Sequence, residues 1–117
     1  MAIVVNFKSY GSVQALDRAF GKGNWMYIGR AMPMYGLNGS VLGNPFKGER
    51  MAVIAQYKQW LLDKIRADDT KAVNALMIAR DMKALVCWCA PLACHGNVII
   101  SDEIKAEAFF RLGVTLS

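Results

Sequence analysis

The longest periodic pattern of hydrophobic positions spans residues 49–66, where apolar side chains recur at three- and four-residue spacing. This spacing places them on one face of an α-helix, so we predict an amphipathic helix with one broad buried face. Its inward positions are Val53, Ile54, Tyr57, Trp60, Leu61 and Ile65. The polar segment 68–70 can end this helix and cap a second one. The second helix would run to Lys83, with inward positions Val73, Leu76, Met77 and Met82.

Three short segments have the β-branched and apolar character of strands: 3–7, 25–30 and 84–89. The first is expected to be buried on both faces. A short helix is predicted between the first two, with Ser12 as N-cap and Gly21 as its end. A last helix is predicted to start near His95 or Gly96 and to run through Ile104 towards Leu112.

Strands and helices therefore alternate along the chain. This order predicts one α/β domain over residues 1–117, with a small, mainly parallel, Rossmann-like sheet of about three strands covered by helices. The irregular segment 31–47 holds several glycines and two of the three prolines, which is typical of a binding loop. Its bulky residues Met32, Met34, Tyr35 and Leu37 could close over a ligand or seal a subunit contact.

Composition narrows the range of partners. The net charge of +5 and the pI near 9.3 favour anionic partners, but the basic residues are scattered. A compact anion pocket therefore fits at least as well as a nucleic-acid groove, and nucleic acid is not favoured. The apolar content of 55% indicates a dense core or a face covered by a second subunit, as in a homodimer. Without a membrane-length apolar run or a signal-like start, the protein is expected to be cytoplasmic and not membrane-bound.

Four motifs follow one another along the chain. They are Tyr27-Ile28-Gly29-Arg30, Gly43-Asn44-Pro45-Phe46, Tyr57-Lys58-Gln59-Trp60-Leu61, and a C-terminal stretch containing Cys87-Trp88-Cys89 and Cys94-His95-Gly96. In this combination the chain resembles a small phage and bacterial family of single domains of unknown function, over roughly residues 25–100. Relative to that family, segment 12–24 looks like an insertion and loop 32–41 looks extended. The resemblance implies a single domain and supplies no reaction.

The end of the third strand and the start of the last helix form the main candidate site. Ligands of open α/β sheets collect at the carboxyl ends of the strands, and helix N-termini there favour anions. Arg30 could grip an oxyanion, with His95 and the amides of Gly96 and Asn97 completing a cradle. The predicted ligand-binding residues are Tyr27, Gly29, Arg30, Gly43, Asn44, Pro45, Phe46, Gly96 and Asn97.

These residues also have structural interpretations. Arg30 could be an ordinary surface residue, and Asn44 could shape the turn before Pro45. His95 is the only histidine, so it could titrate near neutrality or simply pack. As possible catalytic residues we name His95 as acid or base and Cys94, whose thiol pKa a helix start would lower, as nucleophile. Cys94 could equally be buried and inert.

Three cysteines within eight positions suit reduced thiols or a metal site better than a secreted disulfide framework. Cys87 and Cys89 would share one face of a strand. Together with Cys94 and His95 they supply four potential zinc ligands, although the spacing departs from the usual pairs. Zinc therefore remains an alternative, and no other cofactor is expected.

The leading hypothesis is a pocket that binds, sequesters or processes a nucleotide-like or phosphorylated small molecule. One alternative is an enzyme acting on a glycosidic or phosphoryl bond of a nucleoside or nucleotide. This enzyme alternative is weakened because no acidic residue stands in an obvious catalytic pattern. The acidic residues nearest to the candidate motifs are Glu49, Asp102 and Glu103. Another alternative is a protein-interaction module with a structural Cys/His site that could hold zinc.

Overall fold

A computed structural model describes residues 2–90 and 92–111 of the chain. Its sheet has three strands, all parallel, in the order β1-β3-β2: β1 (Ile3–Asn6), β2 (Trp25–Tyr27) and β3 (Ala84–Cys87). The central strand β3 is buried along its whole length, and Val86 lies level with Val5 on one side and Tyr27 on the other. The predicted α/β class with a parallel sheet of about three strands is confirmed.

Five helices pack against this sheet in the described part of the chain. They are α1 (Val13–Phe20), α2 (Arg50–Arg66), α3 (Thr70–Arg80), α4 (His95–Ile99) and α5 (Asp102–Arg111). Ser12 caps α1 by accepting the amide of Ala15, and α1 ends at Gly21, as predicted. Glu49 and Asp69 cap α2 and α3 through their carboxylates.

The sheet separates two hydrophobic clusters. Because side chains alternate across a strand, Leu85 and Cys87 face the larger cluster while Val86 faces the smaller one. The larger cluster contains the predicted stripe of α2, in which Tyr57, Leu61 and Ile65 are fully buried and Trp60 is half-buried. The smaller cluster consists of Phe7, Leu16, Tyr27, Leu37 and Val86.

Several predicted boundaries are wrong. β1 is an edge strand, so Ile3 is exposed and only β3 is buried on both faces. β1 ends because the Asn6 side chain accepts the amide of Lys8, which turns the chain into a short 3-10 helix at Phe7–Ser9. β2 ends at Tyr27, three residues before its predicted end, and β3 ends at Cys87, two residues before its predicted end.

The single C-terminal helix is also a wrong prediction, because it is divided into α4 and α5. The hydroxyl of Ser101 donates to the carbonyl of Val98 and accepts the amide of Ile104, which ends one helix and begins the next. Leu112, the expected end of that helix, lies outside the described residues. Within the described ranges no helix is both long and apolar enough to cross a membrane.

Candidate functional site

Two adjoining open depressions lie at the carboxyl ends of β2 and β3, and we call them together the edge cleft. Both depressions are lined by Asn44, Phe46, Cys89 and His95. The Arg30 depression, of about 380 Å³, adds Tyr27, Gly29, Arg30, Met32, Cys87 and Trp88. The Arg50 depression, of about 320 Å³, adds Lys47, Gly48, Arg50, Val53, Ile54, Ala93 and Cys94. The two strands are parallel, so their carboxyl ends meet at this edge.

The charged side chains that line the edge cleft are all positive among the described residues. Arg30, Lys47 and Arg50 line it, and no Asp or Glu among the described residues does. The side chains of Arg30 and Lys47 are exposed and have no ion pair with any described residue, whereas Arg50 Nη1 donates to the carbonyl of Ala93 at 2.9 Å. The cations of the lining can therefore attract an anionic ligand, and no described carboxylate in the lining competes with that ligand for them.

His95, the first residue of α4, is buried between the two depressions. Its Nε2 lies 2.7 Å from the carbonyl oxygen of Ile28. A carbonyl oxygen only accepts, so Nε2 carries the hydrogen and Nδ1 holds a lone pair. Nδ1 makes no hydrogen bond to a described residue. Every fully buried side-chain nitrogen or oxygen of the described residues has a hydrogen-bond partner, so Nδ1 is at least partly accessible, and His95 lines both depressions.

Burial lowers the pKa of His95 below its usual value, and the hydrogen bond to Ile28 only partly opposes this effect. The ring is therefore neutral near pH 7 and presents an acceptor. The Tyr57 ring packs edge-on against it with centroids 5.1 Å apart, and the Tyr57 hydroxyl donates to the carbonyl of Leu42 at 2.6 Å. α2 thus fixes both the imidazole and the start of the Gly43–Phe46 loop.

The Gly43–Phe46 loop has the turn structure that its sequence allows. Asn44 Oδ1 accepts the amide of Phe46 at 2.9 Å, which leaves the two Nδ2 hydrogens of Asn44 for a ligand. Gly43 is needed for close approach, because a Cβ would lie 3.0 Å from the carbonyl oxygen of Ser40. Pro45 is exposed and lines neither depression. Of the four residues, Asn44 and Phe46 contribute to the cleft.

The Tyr27-Ile28-Gly29-Arg30 motif is held by the Tyr27 hydroxyl. That hydroxyl donates to the carbonyl of Arg30 at 2.6 Å and accepts Trp88 Nε1 at 2.8 Å. A Cβ at Gly29 would collide with it, which explains the glycine. Burial raises the pKa of Tyr27, so it stays protonated and keeps donating. Tyr27 and Gly29 thereby position Arg30 as well as lining the cleft.

The start of α4 does not bring Gly96 and Asn97 into the cleft. The Gly96 amide donates to Cys94 Sγ at 3.3 Å, and the Asn97 amide donates to the carbonyl of Cys94. Asn97 Oδ1 in turn accepts the amide of Cys94 at 2.9 Å. Gly96 faces Ile28 and Val4, whose methyl groups would lie 2.9 Å from a Cβ. The two amides that the sequence suggested for an anion cradle are thus used within the helix cap.

The cysteines are arranged differently from the predictions. β3 ends at Cys87, so Cys89 lies beyond the strand and does not share a strand face with it. Cys87 Sγ accepts the amides of Cys89 and Ala90 and lies 3.6 Å from Cys94 Sγ. The Cys94 thiol, which donates to it, lowers the pKa of Cys87 to about 6 against the opposing effect of burial.

The expected lowering of the Cys94 pKa is therefore wrong. The hydrogen bond to Cys87 raises the pKa of Cys94, and burial raises it further. Of the two sulfurs, Cys87 is therefore the one that loses its proton more readily.

In the part of the chain that the structure describes, no group of three or more His, Cys, Asp or Glu side chains is arranged to hold a metal ion. The zinc alternative at Cys87, Cys89, Cys94 and His95 thus lacks a converged ligand set. The imidazole Nε2 is committed to Ile28 and the Cys94 sulfur to the α4 cap.

Sequence reasoning missed Lys47, Arg50 and Trp88 as lining residues. Lys47 and Arg50 had a usable signal, since Lys47 follows the Gly43–Phe46 loop directly and Arg50 comes three positions later. Trp88 had the weaker signal of standing between two candidate cysteines.

Fold and cleft together define a small α/β domain with a parallel three-stranded sheet and a basic cleft at its carboxyl edge. Residues 14–104 match the model of a family described as domain of unknown function (DUF4326), and the chain belongs to this family. The match begins inside α1 and reaches into α5, which extends beyond the motifs noted in the sequence. No curated protein and no solved structure matches the chain.

Proposed function

We propose that the edge cleft binds a small phosphate-bearing ligand with an aromatic ring, of the nucleotide class. The observation that carries this proposal is a cleft at the carboxyl ends of parallel strands lined by Arg30, Lys47 and Arg50 and, within the described residues, by no carboxylate. Ligands of open α/β sheets gather at this edge, and uncompensated cations there favour an anion.

The phosphate would lie against the cations. The guanidinium of Arg30 offers a planar pair of donors that matches two phosphate oxygens, and Lys47 adds a mobile point charge. Arg50 is already oriented by its bond to the carbonyl of Ala93. The two depressions share four lining residues, and a ligand that spans both would contact all three side chains.

The ring would lie against Phe46 and Trp88, which are half-buried and present apolar surface in the cleft. Asn44 Nδ2 supplies hydrogen-bond donors and His95 Nδ1 supplies an acceptor, and a nucleobase or a sugar uses both kinds. Each depression falls within the range of about 300–1,000 Å³ that small-molecule sites occupy.

Calorimetric titration with nucleosides and with their mono-, di- and triphosphates tests the proposal. We expect binding that requires phosphate. Arg30→Gln or Lys47→Gln should weaken it by about tenfold or more, because each removes a charge-assisted contact. Arg18→Gln and Lys22→Gln remove exposed cations outside the cleft and serve as matched controls. Absence of binding by every phosphate-bearing compound, or equal losses in the controls, contradicts the proposal.

A second candidate function is hydrolysis at the glycosidic or phosphoryl bond of the same ligand. The observation that favours it is the neutral imidazole of His95, which lines the cleft and whose Nδ1 lone pair could accept a proton from attacking water. Chromatographic assay of each nucleotide for released base or phosphate tests this candidate. Turnover that survives unchanged in His95→Asn excludes this role for His95.

A further inference from the structure

We propose that Cys87 and Cys94 form a redox pair that a hydroperoxide converts into a disulfide. Their sulfurs lie 3.6 Å apart although the residues stand on different elements, one at the end of β3 and the other at the cap of α4. Both cysteines are buried, but Cys87 is among the residues that line the Arg30 depression and Cys94 is among those that line the Arg50 depression, so the edge cleft is the route by which a small oxidant would reach the pair. This inference does not depend on the ligand of the cleft.

Cys87 is the attacking sulfur. The turn after β3 directs the amides of Cys89 and Ala90 at Cys87 Sγ, at 3.4 and 3.5 Å, and the Cys94 thiol donates to the same atom. The protonated Cys87 thiol itself donates to the carbonyl of Val5 at 3.5 Å. The three donors that converge on the same sulfur favour its thiolate, and the thiolate is the nucleophilic form. The nearby titratable groups are Cys89, Cys94 and Tyr27, while Arg30 and His95 line the same depression.

Cys94 is the resolving sulfur. Its backbone is extended at the N-cap position, and its sulfur accepts the amide of Gly96 while its proton is directed at Cys87. The two sulfurs need to approach by about 1.5 Å to reach bonding distance. Both are free thiols in the structure.

The reaction balances with the hydroperoxide as oxidant. The Cys87 thiolate attacks one peroxide oxygen, the O–O bond breaks, and the leaving hydroxide or alkoxide takes a proton. The product on Cys87 is a sulfenic acid. The Cys94 sulfur then attacks the Cys87 sulfur, the S–O bond breaks, and water leaves with the Cys94 proton. Two thiols lose two electrons in total and one peroxide gains them.

Cys89 provides the internal control. It is half-buried and therefore the most accessible of the three thiols, but its sulfur makes no hydrogen bond to a described residue. If exposure alone governed oxidation, Cys89 would react first. If the arrangement around Cys87 governs it, the disulfide joins Cys87 to Cys94 and Cys89 stays reduced.

The test is oxidation of the reduced, purified protein with one equivalent of hydrogen peroxide, followed by alkylation in denaturant and mass spectrometry. We expect the oxidised protein to be lighter than the reduced protein by two hydrogen atoms before alkylation. Alkylation should then modify one thiol, and digestion should give a peptide that links Cys87 to Cys94. Cys89→Ser should retain the link, whereas Cys94→Ser should abolish it. A dominant link through Cys89, or oxidation of all three thiols without any link, overturns the proposal.

A second measurement isolates the role of the Cys94 proton. In the Cys89→Ser background, alkylation of native Cys87 should have a pH midpoint below that of an ordinary thiol. Cys94→Ala should raise this midpoint and Cys94→Ser should largely restore it, because a hydroxyl still donates to the thiolate. Circular dichroism confirms that each variant is folded. An unchanged midpoint in a folded Cys94→Ala variant contradicts the proposed pairing.

Discussion

His95 Nε2 lies 2.7 Å from the carbonyl oxygen of Ile28, so the first residue of α4 is bonded to the residue that follows β2. This bond joins the segment that follows β2 to the start of α4, and His95 lines both depressions of the edge cleft. The next residue, Gly96, allows Ile28 and Val4 to pack directly against α4. The position of the imidazole in the cleft therefore depends on its buried hydrogen bond to Ile28 and on the absence of a side chain at Gly96.

The lowered pKa of His95 makes stability depend on pH. In the unfolded chain the imidazole has its usual pKa of about 6.5, so as the pH falls through that value the unfolded chain takes up the proton first. The contribution of His95 to stability is complete above about pH 6.5 and is lost as the pH falls towards the lower pKa of the folded protein, with a slope of at most about 1.4 kcal/mol per pH unit.

Urea denaturation between about pH 7 and pH 5 measures this contribution. His95→Gln is the matched variant, because its amide can still donate to Ile28 but does not titrate. We expect the wild-type protein to lose more stability than the variant over this interval. Parallel curves for the two proteins would show that His95 has no depressed pKa.

A methyl group at position 96 should destabilise the fold. In Gly96→Ala the new Cβ meets Ile28 Cδ1 and Val4 Cγ1 at 2.9 Å, so we expect a loss of about 1–3 kcal/mol in the free energy of unfolding. Adding Ile28→Val removes one of the two opposing methyl groups and should recover part of the loss. If the double variant shows no recovery, the contact with Ile28 is not the cause.

The cap of α4 can be tested at an exposed position. Asn97→Ala removes the acceptor of the Cys94 amide and should cost about 1 kcal/mol of unfolding free energy. Asn97→Asp keeps that acceptor and adds a negative charge in the first turn, so its stability should stay close to that of the wild type. Chemical denaturation distinguishes the two, and equal losses would argue against the capping role.

The Tyr27 hydroxyl should contribute to stability because it satisfies two partners. Tyr27→Phe leaves the carbonyl of Arg30 without this donor and Trp88 Nε1 without this acceptor, so we expect a loss of about 1–3 kcal/mol. Tyr10→Phe is a suitable control, since the Tyr10 hydroxyl has no hydrogen bond to a described residue. Thermal unfolding monitored by Trp fluorescence measures the difference, and an equal effect in both variants would contradict it.

The features predicted correctly from the sequence depend on neighbours within one turn or one strand. The stripe of α2 follows from the spacing of Tyr57, Leu61 and Ile65, and the caps at Ser12 and Asp69 follow from side chains that bond an amide three residues ahead. The meeting of β2 and β3 at one edge follows from their parallel direction. The stripe and the caps depend on residues close together in the chain, and the meeting of the strand ends depends on the order in which strands and helices alternate.

The predicted strand ends and strand burial are wrong where a side-chain contact or the position of another strand determines them. β3 ends at Cys87, where the chain turns so that the amides of Cys89 and Ala90 reach its sulfur, which periodicity does not reveal. Ile3 is exposed because β1 lies at the edge of the sheet, and the apolar sequence of this segment does not reveal the strand order.

The sequence by itself determined the fold class, the main helices and the location of the candidate site near Arg30, the Gly43–Phe46 loop and the Cys/His stretch. Only the tertiary structure decided that Gly96 faces Ile28 and Val4, and that Lys47 and Arg50 join Arg30 in the cleft. It also decided that Cys87, and not Cys94, has the lowered thiol pKa. The physical reason is that hydrogen bonds, desolvation and charge act through distances in space: the sulfurs of Cys87 and Cys94 lie 3.6 Å apart although the two residues are seven positions apart in the chain.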